Sequence, residues 1–89
     1  MTISNDRLAD IVVEVARQRF GDRVFRRRPL MTAVETHLRQ MGAWTPEDDV
    51  LSSSAGIKSE GLAKIDWAIT HLKERHRLLN LQRDRWRVP

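Results

Sequence analysis

The spacing of apolar residues changes once along this chain. Up to about residue 76 they recur every three or four positions, and beyond it they alternate. Residues 59–76 place Leu62, Ile65, Ala68, Ile69 and Leu72 on one side of a helix, with Ser59 at its cap position. Leu79 and Leu81 then alternate with Asn80 and Gln82, and Trp86 and Val88 alternate with Arg85 and Arg87, on either side of Arg83-Asp84. That pattern predicts a two-stranded hairpin with its apolar side inward and its basic side outward. A long helix running straight into a short hairpin makes the chain mainly α with a small C-terminal β-hairpin.

The upstream half fits the same plan. Leu8, Ile11, Val12, Val15 and Ala16 form one stripe of a helix over 5–20, capped by Ser4 or Asn5 and ended by Gly21. Val24-Phe25 reads as a short edge strand. Pro29 suits the first turn of a second helix, with Leu30, Val34, Leu38 and Met41 as its buried stripe and Gly42 as its stop. Thr45-Pro46-Glu47-Asp48 starts a third, short helix, with acids complementing its positive end. Ser52 to Gly56 is a loop by composition. Trp67 and Trp86 are expected between the long helix and the hairpin, where an indole buries its ring and finds one hydrogen bond, and Trp44 is expected to anchor the loop after the second helix. A short helix, a turn and a longer helix form a helix-turn-helix, and a terminal basic hairpin forms its wing. At 89 residues the whole of 1–89 is expected to be one winged helix-turn-helix domain.

Several function classes find no footing. With no cysteine there is neither a disulfide framework nor a thiolate metal site, which suits a reducing cytoplasm. The N-terminus lacks the layout of a signal peptide, and no run approaches the ~18 apolar residues of a membrane span. The expectation is an intracellular, cytoplasmic protein without membrane contact. No Gly-rich phosphate loop or Gly-x-Ser-x-Gly elbow is present. His71 and His76 do not share a helix face, and His37 lies on another helix, so no metal is expected. Glu47, Asp48 and Asp49 cluster as a nuclease's carboxylates would, but capping the short helix accounts for them. Neither a catalytic residue, a cofactor nor a small-molecule substrate is expected.

Net charge is +4, and its distribution matters more than its size. Residues 1–20 balance. Arg23, Arg26, Arg27 and Arg28 oppose only Asp22 in 21–28, whereas 29–51 are acidic. Beyond residue 51, Lys58, Lys64, Lys73, Arg75, Arg77, Arg83, Arg85 and Arg87 outnumber Glu60, Asp66, Glu74 and Asp84. Cations gathered in one connection and the C-terminal part point to a polyanion met by one face.

Lys64-Ile65-Asp66-Trp67-Ala68-Ile69-Thr70-His71-Leu72-Lys73, followed by Leu78-Leu79, Arg83 and Trp86-Arg87-Val88, resembles the N-terminal winged-helix domain of Mrr-like restriction-system proteins. Pro46-Glu47-Asp48-Asp49-Val50-Leu51 with Gly56 is similar to that family's acidic short helix and Ser-Gly turn. The resemblance covers about residues 45–89. It implies DNA binding without the family's nuclease domain. Arg77 stands where the family tends to have the glycine that ends the long helix, and Asp84 where its wing often has glycine.

A helix of this kind enters a major groove ~12 Å wide. With the apolar stripe inward, Glu60, Ala63, Lys64, Trp67, Thr70, His71 and Glu74 face away from the core. Lys64 and His71 are the expected base or phosphate contacts on that face. Lys58 and Ser59 suit a phosphate at the positive end of the helix. Arg83 and Arg85 would lie along a backbone or in a minor groove, and Arg26, Arg27 and Arg28 would clamp a flanking phosphate. Glu60, Asp66 and Glu74 oppose this reading, since carboxylates repel phosphate. The expected partner is double-stranded DNA. The alternative is a winged helix used for protein–protein interaction or homodimerisation, and RNA is a third reading.

Overall fold

The computed structural model describes residues 1–51 and 58–89. Three α-helices are followed by an antiparallel hairpin: α1 (Asn5–Phe20), α2 (Arg27–Gln40), α3 (Glu60–Glu74), β1 (Leu79–Gln82) and β2 (Arg85–Arg87). A 3₁₀ helix, Pro46–Asp49, precedes α3. The Ser52–Gly56 loop expected from composition lies outside the described residues.

The apolar stripes meet in one core. Leu8, Ile11, Val12 and Ala16 of α1, Leu30, Val34 and Leu38 of α2, and Ile65, Ala68, Ile69 and Leu72 of α3 are all buried. Ser4 caps α1 by accepting from the Arg7 N–H, and Gly21 ends it at φ 60, where a side chain would be strained. Phe25, expected in an edge strand, forms a single antiparallel bridge with Trp86, their backbones exchanging both hydrogen bonds at 2.8 Å. Phe20 stacks on Phe25 with centroids 4.6 Å apart, tying the end of α1 to this bridge.

Several local expectations need correction. α2 starts at Arg27, which puts Pro29 in its first turn as expected, but it stops at Gln40, so Met41 falls outside the buried stripe and is 44% exposed. The short helix is a 3₁₀ turn, because Val50 and Leu51, both exposed, give an α-helix no face to bury. α3 ends at Glu74 rather than residue 76. His76 takes the left-handed position at φ 59, and the N–H groups of His76 and Arg77 return to Lys73 and Leu72. This is the helix exit that a glycine usually makes, placed one residue before Arg77. The first strand of the hairpin is out of phase with its sequence. Leu79 pairs with Arg87, Asn80 with Trp86 and Gln82 with Arg85, leaving Leu81 in a bulge and exposed. The inward side chains are therefore Leu78, Trp86 and Val88, not Leu79 and Leu81.

The loop joining α2 to α3 is fastened by a buried carboxylate. Asp48, 1% exposed, accepts from the Thr45 N–H at 2.9 Å and the Thr45 hydroxyl at 3.1 Å, and pairs with the Met1 amino group at 2.9 Å. Trp44 anchors this loop as expected, its ring lying on Gly61 while its Nε1 donates to Asp49. Among the described residues, no helix is long and apolar enough to cross a membrane.

Candidate nucleic-acid interface

The first turn of α2, one flank of α3 and the hairpin tip converge, and Arg27 joins them. Its backbone N–H, in the first turn of α2 where Arg26 at the cap position makes no side-chain bond, donates to Asp84 Oδ1 of the hairpin turn at 2.9 Å. Its side chain reaches α3, with Nε donating to Asp66 Oδ1 at 2.6 Å and Nη2 donating to the Asp66 carbonyl and Thr70 Oγ1. The guanidinium also sits 5.1 Å from the centre of the Trp86 ring. Lys58 Nζ takes the second Asp66 oxygen at 2.6 Å. Burial resists ionisation of Asp66, but Lys58 and Arg27 outweigh it and hold its carboxyl below the ordinary value. Arg27 and Lys58, both expected at phosphate, are thus occupied inside the protein. Ser59 is occupied too, since its hydroxyl caps α3 by accepting from the Leu62 N–H.

Among the described residues, the neighbouring arginines have no such partner. Arg26, Arg83 and Arg85 line one recess with Asp84, although about two-thirds of the chain separates Arg26 from the other two. Arg26 and Arg28 continue into an adjoining groove of about 700 Å³ that also holds Arg19 of α1. Among the described residues, none of Arg19, Arg26, Arg28, Arg83 and Arg85 lies within ion-pair distance of a carboxylate. Asp84 sits among them with one oxygen on the Arg27 amide. Asn80 shapes the turn that presents them, its Nδ2 donating to the Arg83 carbonyl at 2.7 Å, while Arg83 adopts φ 35.

On α3, Lys64 and His71 do not join this cluster. The 3.6-residue period puts them on the flank opposite Asp66. There Lys64 lines a separate recess with Asn5, Glu60, Ala63 and Trp67, and its Nζ is 3.8 Å from Asp48. The ridge between the two flanks carries Ala63, Trp67, Thr70 and Glu74, and no cation. Trp86 is buried as expected, but among the described residues its Nε1 has no hydrogen-bond partner, and Trp67 is not packed against the hairpin. It is 46% exposed and stacks on His71, with centroids 4.9 Å apart and planes 14° from parallel. The reason is positional: Ile65, Ala68, Ile69 and Leu72 already fill the buried arc of α3, and residue 67 falls outside it.

Of the residues expected at the partner, Arg26, Arg28, Arg83 and Arg85 come together, Arg27, Lys58 and Ser59 have internal partners, and Lys64 and His71 sit apart. Arg19, Asn80 and the role of Asp84 are legible only in the structure, apart from one signal, an acid at 84 where the resembling family often has glycine. Among the described residues, no three His, Asp or Glu side chains gather as a metal site would require. No family model, curated protein or solved structure matches the chain.

Proposed function

We propose that the chain is a non-catalytic winged helix-turn-helix module that binds duplex DNA, akin to the recognition domain of Mrr-like restriction-system proteins. In this reading the 3₁₀ helix, α2 and α3 supply the helix-turn-helix, and β1 and β2 with the Phe25 bridge supply the wing. The observation that carries it is the convergence of Arg26, Arg28, Arg83 and Arg85 at one edge. Like charges held together cost stability, and a polyanion relieves that cost. A helix ~10–12 Å across fills a major groove ~12 Å wide, so its two flanks meet the two phosphate walls. The arginine cluster would serve one wall and Lys64 the other, with Thr70 toward the base edges.

The test is a fluorescence-anisotropy titration of a labelled duplex at several salt concentrations. Affinity should fall steeply with salt, because each phosphate contact releases condensed counterions. Absence of binding at ~50 mM salt would remove the proposal.

The cation-free ridge of α3 favours a second reading, in which this face docks on a protein. Sedimentation and pull-down would then reveal a dimer or a specific partner, with DNA affinity weak and indifferent to Arg83 and Arg85.

A further inference from the structure

A recess on the α1 side of α3 lies apart from the arginine cluster. It has a volume of about 310 Å³ and is lined by Asn5, Glu60, Ala63, Lys64 and Trp67. Single exposed apolar side chains are ordinary on protein surfaces. Trp67 differs in being held. His71, one turn on, covers the indole in a near-parallel stack, which fixes the ring's orientation. Every other residue of the recess precedes Trp67 in the chain. The small side chain of Ala63, one turn back, leaves space beside the indole that a larger residue would fill.

The rim of this space is polar. Asn5 offers both a donor and an acceptor, Glu60 offers acceptors, and Lys64 offers a half-exposed cation whose Nζ, 3.8 Å from Asp48, makes no hydrogen bond to it. The volume is at the small end for ligand sites, sized for one flat ring system rather than a large molecule. A planar π-face, edge hydrogen-bonding groups and one adjacent cation together match a nucleobase with its phosphate.

We infer that this recess takes an unpaired nucleobase, stacked on the Trp67 indole with its edge toward Glu60 and Asn5 and its phosphate toward Lys64. The inference rests on the nucleic-acid reading above and adds a preference to it: DNA with a base free to leave the helical stack is bound better than fully paired DNA. Unpaired bases suit such a site because they are the least costly to unstack. Glu60, acceptor only, favours bases that present an N–H on that edge.

The experiment compares two hairpin duplexes, one fully paired and one with a single bulged adenine, by anisotropy at fixed low salt. Wild type should bind the bulged duplex about ten-fold more tightly, the scale of one base–aromatic stack. Trp67→Ala should bring the two duplexes to parity while leaving affinity for the paired one within about two-fold. Trp67→Phe, which keeps a stacking face, should retain most of the preference, and His71→Ala, which frees the indole to rotate, should lose part of it. Unchanged melting would show that these exposed substitutions leave the fold intact. Wild type treating both duplexes alike overturns the inference, as does a preference that survives Trp67→Ala. Equal losses on both duplexes, or a Trp67-dependent dimer, overturn it as well. If only the inference fails, salt-dependent binding of paired DNA remains. If wild type binds neither duplex, the DNA reading falls with it.

Discussion

Trp44 can lie against the start of α3 because residue 61 has no side chain. A Cβ there would come within 2.7 Å of the Trp44 ring and 2.8 Å of Asp48 Cβ, neither of which is the loose end of a flexible chain. Gly61→Ala should therefore destabilise the protein by about 1–3 kcal/mol, lowering Tm by on the order of 10 °C, although alanine is the better helix former. Retained or raised stability by thermal melting would contradict this packing account. Asp48 beside it makes a second prediction. Burial disfavours its charge, but the Thr45 N–H, the Met1 amine and the Thr45 hydroxyl prevail, and its carboxyl is held below the ordinary value. The unfolded chain therefore takes up the proton first as pH falls, and so does that of Asp66. Both contributions are full above the unfolded value of about 4 and are lost as pH drops through the lower folded values. Chemical denaturation from pH 7 to pH 2 should show a plateau followed by a fall. Asp48→Asn should start about 3 kcal/mol lower, as expected for breaking a buried pair, with a shallower acid fall.

At the scale of elements, the hairpin is fixed to the helices at two points of different character. The Phe25–Trp86 bridge is backbone to backbone, whereas Asp84 caps α2 with a side chain. Asp84→Ala should cost about 1 kcal/mol, the usual value of a helix cap, and should speed hydrogen exchange at the Arg27 amide. The Phe25 and Trp86 amides should keep their protection. Their simultaneous loss would show that Asp84 carries the whole docking of the hairpin. The helices and the hairpin were legible because periodicity records burial directly, and α1 matches its sequence reading from cap to stop. The inward phase of β1 was not, because a bulge at Leu81 leaves no mark in an alternating pattern. The site was half legible. Clustered arginines are visible in sequence, but that Arg27, rather than Arg26 or Arg28, is held internally depends on Asp66 and Asp84, 39 and 57 residues further along the chain. Trp67 was misplaced because an aromatic residue in a helix is ordinarily core, and only the assembled stripe shows that the core was already full.

At the scale of the whole molecule, the question is whether the cations act as one surface. The protein measures 33 × 27 × 20 Å, and a DNA turn is about 34 Å long, so one copy spans at most about one turn. Within that footprint the arginine cluster and Lys64 would meet opposite walls of one groove, whereas Arg7 and Arg17 lie on the exposed face of α1, which no proposed contact uses. Uniform attraction would make all of these cations equivalent, because at low salt a small basic protein is drawn to DNA by its total charge. A defined surface makes them unequal. Arg83→Ala and Arg85→Ala should each reduce the slope of log affinity against log salt by about 0.9, the contribution of one phosphate contact. Lys64→Ala should do the same if the second wall is engaged, and Arg7→Ala or Arg17→Ala should leave the slope unchanged. The slope is the decisive quantity, since it counts displaced ions and is insensitive to a small loss of folded protein. Equal slope changes at all five positions would reduce the interaction to net charge and remove the groove-spanning geometry. Changes at Arg83 and Arg85 without one at Lys64 would confine contact to the hairpin side and leave α3 outside the groove.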